Sequence, residues 1–191
     1  MKKLVLSIIT IALLFSSCGE SDNSALLTNV SGKAGEVVLV IEPSIWNSDI
    51  GKEFQKKLSQ AHPALPQSEP VFDLVHIPYS AFSSIFKTHR NLIIVKIDSK
   101  LHEPKMVVQE NLWSKPQIIV NVLAPDKESL KTLIMDNGDL LVERIIKKEL
   151  SRYAANYRKY EQIGFAEQID NRYGIRLTIP RAESPWAFGV C

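Results

Sequence analysis

The chain holds only 2 cysteines in 191 residues, too few to staple a fold, so its stability has to come from an apolar core. It has almost no charge of one sign: the net is +2, and without Lys2 and Lys3 it carries 21 basic against 21 acidic residues. That balance excludes the basic footprint of a duplex-binding protein, and no nucleic-acid partner is expected. A long apolar run is missing too. The stretch 4–15 is apolar apart from Ser7 and Thr10, shorter than the roughly 20 residues a bilayer span needs. H-E-x-x-H, C-x-x-C, G-x-S-x-G and G-x-G-x-x-G do not occur, which removes the sequence signatures of zinc-peptidase, dithiol, serine-hydrolase and dinucleotide chemistry. What remains is an average globular composition, 45% hydrophobic and 23% charged with 10 Pro and 8 Gly. Disorder, collagen and coiled coil are excluded, and one domain with a normal core is expected.

The first eighteen residues carry the sharpest signal. Met1-Lys2-Lys3 is a short positive start, the apolar run 4–15 has the length of a secretory-signal core, and small residues follow it. Leu14-Phe15-Ser16-Ser17-Cys18 resembles the lipobox of bacterial lipoproteins, in which the cysteine is acylated and the peptide before it removed. Two or more acyl chains hold a protein at a membrane without a spanning helix. The expectation is a signal peptide over 1–17, a lipidated Cys18, and a Ser/Asn/Gly-rich tether to residue 33. With Cys18 acylated, Cys191 has no intramolecular partner.

Residues 36–41 form a continuous β-branched run that reads as a buried strand. A helix is expected over 47–60, where Ile50, Phe54 and Leu58 recur at helical spacing behind the capping candidates Asn47 and Ser48, with Pro63 and Pro66 ending it. Further strands are expected at 71–77, 91–98 and 117–123, a short helix at 79–87, and an edge strand at 106–113. Asp126 offers an N-cap to the longest helix, whose apolar stripe of Leu130, Leu133, Ile134, Leu140, Leu141, Ile145, Ile146 and Leu150 stays in phase. That continuity predicts one helix to about residue 159, with Gly138 on the wet face. A last strand is expected at 173–179. The order predicts a two-layer α+β domain over 34–180, its sheet mixed or antiparallel, with the long C-terminal helix packed on one face. Residues 181–191 have no period and read as an irregular tail or a truncated end.

Few residues suggest chemistry. Ser84-Ile85-Phe86-Lys87 matches S-x-x-K, but 18 Ser and 16 Lys in this length supply about 1.5 such matches by chance; K-T-G is missing, and the S-D-N at Ser21-Asp22-Asn23 lies ahead of the serine, in the segment read as tether, rather than after it. Gly32-Lys33 precedes a strand, the reverse of a phosphate loop. His62, His76, His89 and His102 have no ligand spacing among themselves, so no metal and no cofactor is expected. The most suggestive group is Lys87, His89, Arg90 and Asn91, at the junction of a short helix and a buried strand. Lys87 and Arg90 can hold an anion and His89 can move a proton near neutral pH. Equally, Lys87 and His89 can close a helix C-terminus while Asn91 satisfies a turn.

The segments 31–32 and 36–41, Trp46, Gly51, 72–75, Pro78, Phe82, the Phe-Lys-Thr-His-Arg-Asn run at 86–91, 93–95, Trp113 and Pro116-Gln117 carry a resemblance. Through them the chain, over 30–180, resembles an uncharacterised lipoprotein family of Bacteroidota, domain of unknown function 4837. The resemblance implies an outer-envelope lipoprotein and no activity. Two functions follow as expectations. The first is a non-enzymatic binding or assembly module, lipid-anchored in the cell envelope at the outer membrane, meeting an envelope protein or a small ligand through Lys87, His89, Arg90 and Asn91. The second is an envelope hydrolase or transferase that pairs His89 with a carboxylate such as Asp73 or Asp98.

Overall fold

A computed structural model of the chain describes residues 26–62 and 65–181. The signal peptide, Cys18, Pro63, Cys191 and the tail from 182 onward lie outside the described residues. The domain is α+β, built on a five-stranded mixed sheet. In chain order its elements are β1 (Thr28–Asn29), β2 (Glu36–Val40), α1 (Pro43–Trp46), α2 (Asp49–Leu58), β3 (Asp73–Ile77), a 3-10 turn (Tyr79–Ala81) and α3 (Ser84–Lys87). They continue as β4 (Asn91–Ile97), β5 (Lys105–Glu110), β6 (Ser114–Lys115), β7 (Ile118–Ala124), α4 (Lys127–Lys159) and α5 (Ile163–Tyr173).

The main sheet has the order β3-β2-β4-β7-β5. Its first three pairings are parallel, and β5 closes the edge antiparallel to β7. β2, β4 and β7 sit inside the sheet and are buried on both faces, which is why their sequences read as unbroken apolar runs. One face carries Val37, Leu39, Ile93, Val95, Val120 and Val122 under α2 and α4, with Phe54, Leu58, Ile134, Leu141 and Ile145 pressed into it. On the other, Val38, Val40, Leu92 and Ile119 are roofed by Tyr79, Phe82, Phe86 and Trp113. Phe82 and Trp113 meet edge to face at 5.8 Å, a geometry that suits their ring quadrupoles.

Several expectations change. The helix expected over 47–60 is α2, with Ser48 as its cap, and a short helix not expected from sequence, α1, precedes it. The turn between them presents Ser48, whose hydroxyl donates to the Ile45 carbonyl at 2.6 Å and accepts the Ile50 N–H at 3.2 Å. The expected short helix at 79–87 is a 3-10 turn and the single turn of α3, because Ser83 is extended at φ −102° and ψ −178°. α4 does run unbroken, capped by Asp126, whose carboxylate accepts the Ser129 N–H at 2.8 Å. Its Gly138, expected on the wet face, is instead buried beneath Lys57: a Cβ there would lie 2.7 Å from Lys57 Cγ. Leu140 and Leu150 point to solvent although they keep the phase of the stripe. No strand forms at 173–179; Tyr173 ends α5, and Gly174 caps it in the left-handed conformation. Thr28–Asn29, inside the segment read as tether, already pairs with β6.

Gly51 is the tightest point of the α1–α2 corner, since a Cβ built on it would stand 1.9 Å from the Trp46 carbonyl oxygen. That neighbour is backbone and cannot swing aside. Gly51→Ala is expected to destabilise the domain by about 2 kcal/mol or more, the upper part of the range for overpacking, as a lowered urea midpoint at unchanged slope.

Candidate functional site

The run at 86–91 ends where β4 enters the sheet, and its polar side chains point inward. His89 is buried and its Nε2–H donates to Glu36 Oε1 at 2.6 Å; Nδ1 faces the backbone of Asn91, 3.4 Å from its nitrogen. Gly32 lies against the ring: its φ is +87°, and a Cβ there would fall 2.1 Å from His89 Nε2. Ser31 holds the same loop from outside, its N–H donating to the Thr88 carbonyl and its carbonyl accepting from the Arg90 N–H, at 2.9 and 3.0 Å. From β7's side the fully buried Gln117 donates from Nε2 to the carbonyls of Lys87 and His89 at 2.6 and 2.7 Å.

Arg90 and Asn91 reach the other way, to α4. Arg90 pairs with Glu149 at 2.6 Å, and Asn91 Nδ2 donates to Glu149 Oε1 at 2.6 Å and to the Glu36 carbonyl at 2.9 Å. Arg152 completes the knot, donating to Asn91 Oδ1 at 2.8 Å, to the Arg90 carbonyl at 2.8 Å and to the Pro116 carbonyl at 2.9 Å, with Glu149 Oε1 3.0 Å away. Burial, opposed by Glu149, pulls the Arg152 guanidinium below its ordinary value. Lys87 stands apart, its ammonium 5.7 Å from the centre of the Trp113 ring.

Of the four residues expected to meet a ligand, three therefore have internal partners and one lies on an aromatic face. The carboxylates paired with the buried cluster are Glu36 and Glu149. Asp73, in register with Glu36, is exposed on edge strand β3. Asp98 sits past the far end of β4, about 23 Å of strand away from Asn91, where it takes Lys96 at 3.4 Å. Glu149 and Arg152 were not singled out by sequence reading. Their signal is nonetheless present, because they continue the buried phase Leu141–Ile145 down the helix. Among the described residues no group of three His, Cys, Asp or Glu is placed to hold a metal ion. No described helix is long and apolar enough to cross a membrane.

The opposite pole of the sheet has a different character. The chain reverses its direction of building between β2 and β4, since β3 lies on one side of that pair and β7 on the other. In open parallel sheets the crevice outside the carboxyl ends of two such strands is where ligands bind. Here that place is an open cleft of about 300 Å³ lined by Glu42, Ile45, Tyr79, Val95, Lys96 and Ile97. The Tyr79 hydroxyl donates to the Val95 carbonyl at 2.8 Å, and burial, aided by Glu42, pushes its phenol up to about 12.

The family model of Domain of unknown function (DUF8532) matches residues 30–158. The chain belongs to that family. The resemblance to domain of unknown function 4837 is thereby corrected: the family that matches is another one, also without a described function. No curated protein and no solved structure matches the chain significantly. The DUF8532 match takes in both poles, from Ser31-Gly32 through the cleft to Glu149 and Arg152, and stops short of α5.

Two outcomes are expected. Glu149→Ala leaves Arg90 and Arg152 facing each other in the interior and should cost about 3–5 kcal/mol in urea unfolding, the range for breaking a buried pair. The Tyr79 phenol, raised from 10.0 to about 12, contributes stability that is complete below pH 10. That contribution is lost as pH rises from 10 to about 12, and unfolding curves of Tyr79→Phe should lack this dependence.

Proposed function

We propose that this chain is a cell-envelope lipoprotein, anchored at the outer membrane through acylated Cys18, whose DUF8532 domain is a non-enzymatic binding or assembly module. The observation that carries the reading is the order of residues at the start: Lys2 and Lys3, an apolar core too short to span, then Leu14-Phe15-Ser16-Ser17-Cys18. Two further observations support it. Thr28, the first residue of β1, stands ten positions after Cys18, so an acyl anchor would hold the domain within about 36 Å of the bilayer. His89, Arg90 and Asn91 each bond a carboxylate within the fold, with Arg90 Nε left unpartnered, which fits a framework better than a reacting centre.

A hydrolase or transferase built on His89 would need Nε2 free to reach a substrate. That nitrogen is bonded to Glu36 and lies behind Gly32. The pole suited to a small ligand is instead the cleft at the carboxyl ends of β2 and β4, where Glu42 and Lys96 give one charge of each sign beside the apolar Ile45, Val95 and Ile97. Cells fed labelled palmitate should incorporate it into the wild-type protein and not into Cys18→Ala; label persisting in the variant removes the anchor.

A further inference from the structure

Beyond the sheet the fold leaves an apolar surface uncovered. α4 is about 50 Å long, twice the length of the strands beneath it, so its last turns overhang the pole where the strands begin. After Arg152 the helix buries no further residue. Tyr153, Tyr157 and Tyr160 follow on the overhang, and α5, which buries none of its residues, adds Ile163, Phe165 and Tyr173. Each of these six side chains is at least 44% exposed. The two parts are joined by backbone, Gln162 N–H donating to the Ile179 carbonyl and Arg181 N–H to the Tyr160 carbonyl, both at 2.8 Å. Tyr153, Tyr157 and Tyr160, at i, i+4 and i+7, follow one side of the helix, and exposed apolar side chains grouped in this way mark an interaction surface.

The place where the amino-terminal segment joins the fold says what covers it. Val30 N–H donates to the Lys115 carbonyl at 3.3 Å, and the next carbonyl, of Pro116, accepts from Arg152 at 2.9 Å. The segment leading back to Cys18 therefore meets the fold beside the residue at which the overhang begins. Tyrosine favours the headgroup level of a bilayer, and phenylalanine the apolar face of a helix that lies in it. The cations set among them complement anionic headgroups: Lys159 lies 5.3 Å from the Tyr160 ring and Arg172 5.4 Å from Tyr173, and 153–181 holds five basic residues to three acidic.

We propose that the overhang of α4 together with α5 is a second membrane contact, seated in the phospholipid headgroup layer, which turns the cleft at the other pole away from the bilayer. The inference rests on the acyl anchor proposed above, and the test separates the two. Cys191→Ser leaves Cys18 to its acyl chains, and single cysteines at Tyr157→Cys, Phe165→Cys and, at the far pole, Lys100→Cys take a nitroxide label. The acylated chains are reconstituted into phosphatidylethanolamine vesicles containing phosphatidylglycerol, floated, and probed with a water-soluble nickel chelate. Labels at 157 and 165 should collide with it at least about fivefold less often than the label at 100, as expected of side chains at the acyl boundary. Chains that float with all three labels equally accessible overturn the contact and leave the anchor standing. Dipolar broadening between labels at 157 on two molecules identifies a second copy as the occupant and also overturns it. Chains that do not float overturn both proposals.

Discussion

Glu149 is a carboxylate taken out of water at the rim of a sheet, and much of the domain's geometry follows from the groups needed to hold it there. An isolated buried charge costs several kcal/mol, so its two oxygens must be met by donors. Arg90, Asn91 and Arg152 supply them. Arg152 then brings its own demand, which the carbonyls of Arg90 and Pro116 and the Asn91 amide oxygen satisfy. Because Asn91 faces Glu149 with its nitrogen and Arg152 with its oxygen, its amide is oriented, and the same nitrogen reaches the Glu36 carbonyl on β2. A slide of α4 by one turn along the sheet would separate every one of these pairs. Apolar packing of Leu141 and Ile145 tolerates small slips; a charge-assisted network does not.

This fixing of the helix separates the molecule into two ends with different uses for polar residues. Where the strands begin, donors and acceptors other than Arg90 Nε are paired inside the fold, and the loops at 31–32, 86–91 and 111–117 are stitched to one another by Ser31, Ser114 and Gln117. Where the strands end, Glu42, Lys96 and the edge of Tyr79 line an open cleft. A parallel sheet imposes this asymmetry on its own account, since helix starts and strand ends gather at one pole and leave the other to connections. The chain follows that rule, and its most eye-catching residues in sequence, His89 and Arg90, lie at the pole devoted to cohesion.

The strands were legible because burial on both faces leaves a run such as Leu92-Ile93-Ile94-Val95 with no other use. Ser48 and Asp126 were legible because capping is local chemistry. What could not be read was anything decided between elements distant in sequence. Gly138 looked like a solvent-side residue because its contact, Lys57, comes from α2, 81 positions earlier. Glu149 and Arg152 continue the buried phase of the helix, but a pair of opposite charges three apart reads by default as a solvated one. Their partners at 90 and 91 become neighbours only once the sheet exists. The alternation Tyr173, Ile175, Leu177, Ile179 has the period of a strand, and it failed because α4 had already carried the chain past the sheet, leaving no free edge beside it.

The function of the cluster at 86–91 turns on the same distinction. A histidine beside a carboxylate, with two cations nearby, is the kind of group from which acid–base chemistry is built, and chemistry alone does not separate that use from a structural one. Access does. A catalytic imidazole must offer a nitrogen to something that arrives from solvent, whereas His89 gives Nε2 to Glu36 and turns its other nitrogen to its own backbone. Gly32, at a positive φ where most side chains are strained, is the residue that allows the ring to sit so close to the passing chain. A larger residue at 32 would have to push the ring off Glu36, so the glycine serves the His89–Glu36 hydrogen bond and, through Asn91, the register of the helix that Glu149 anchors.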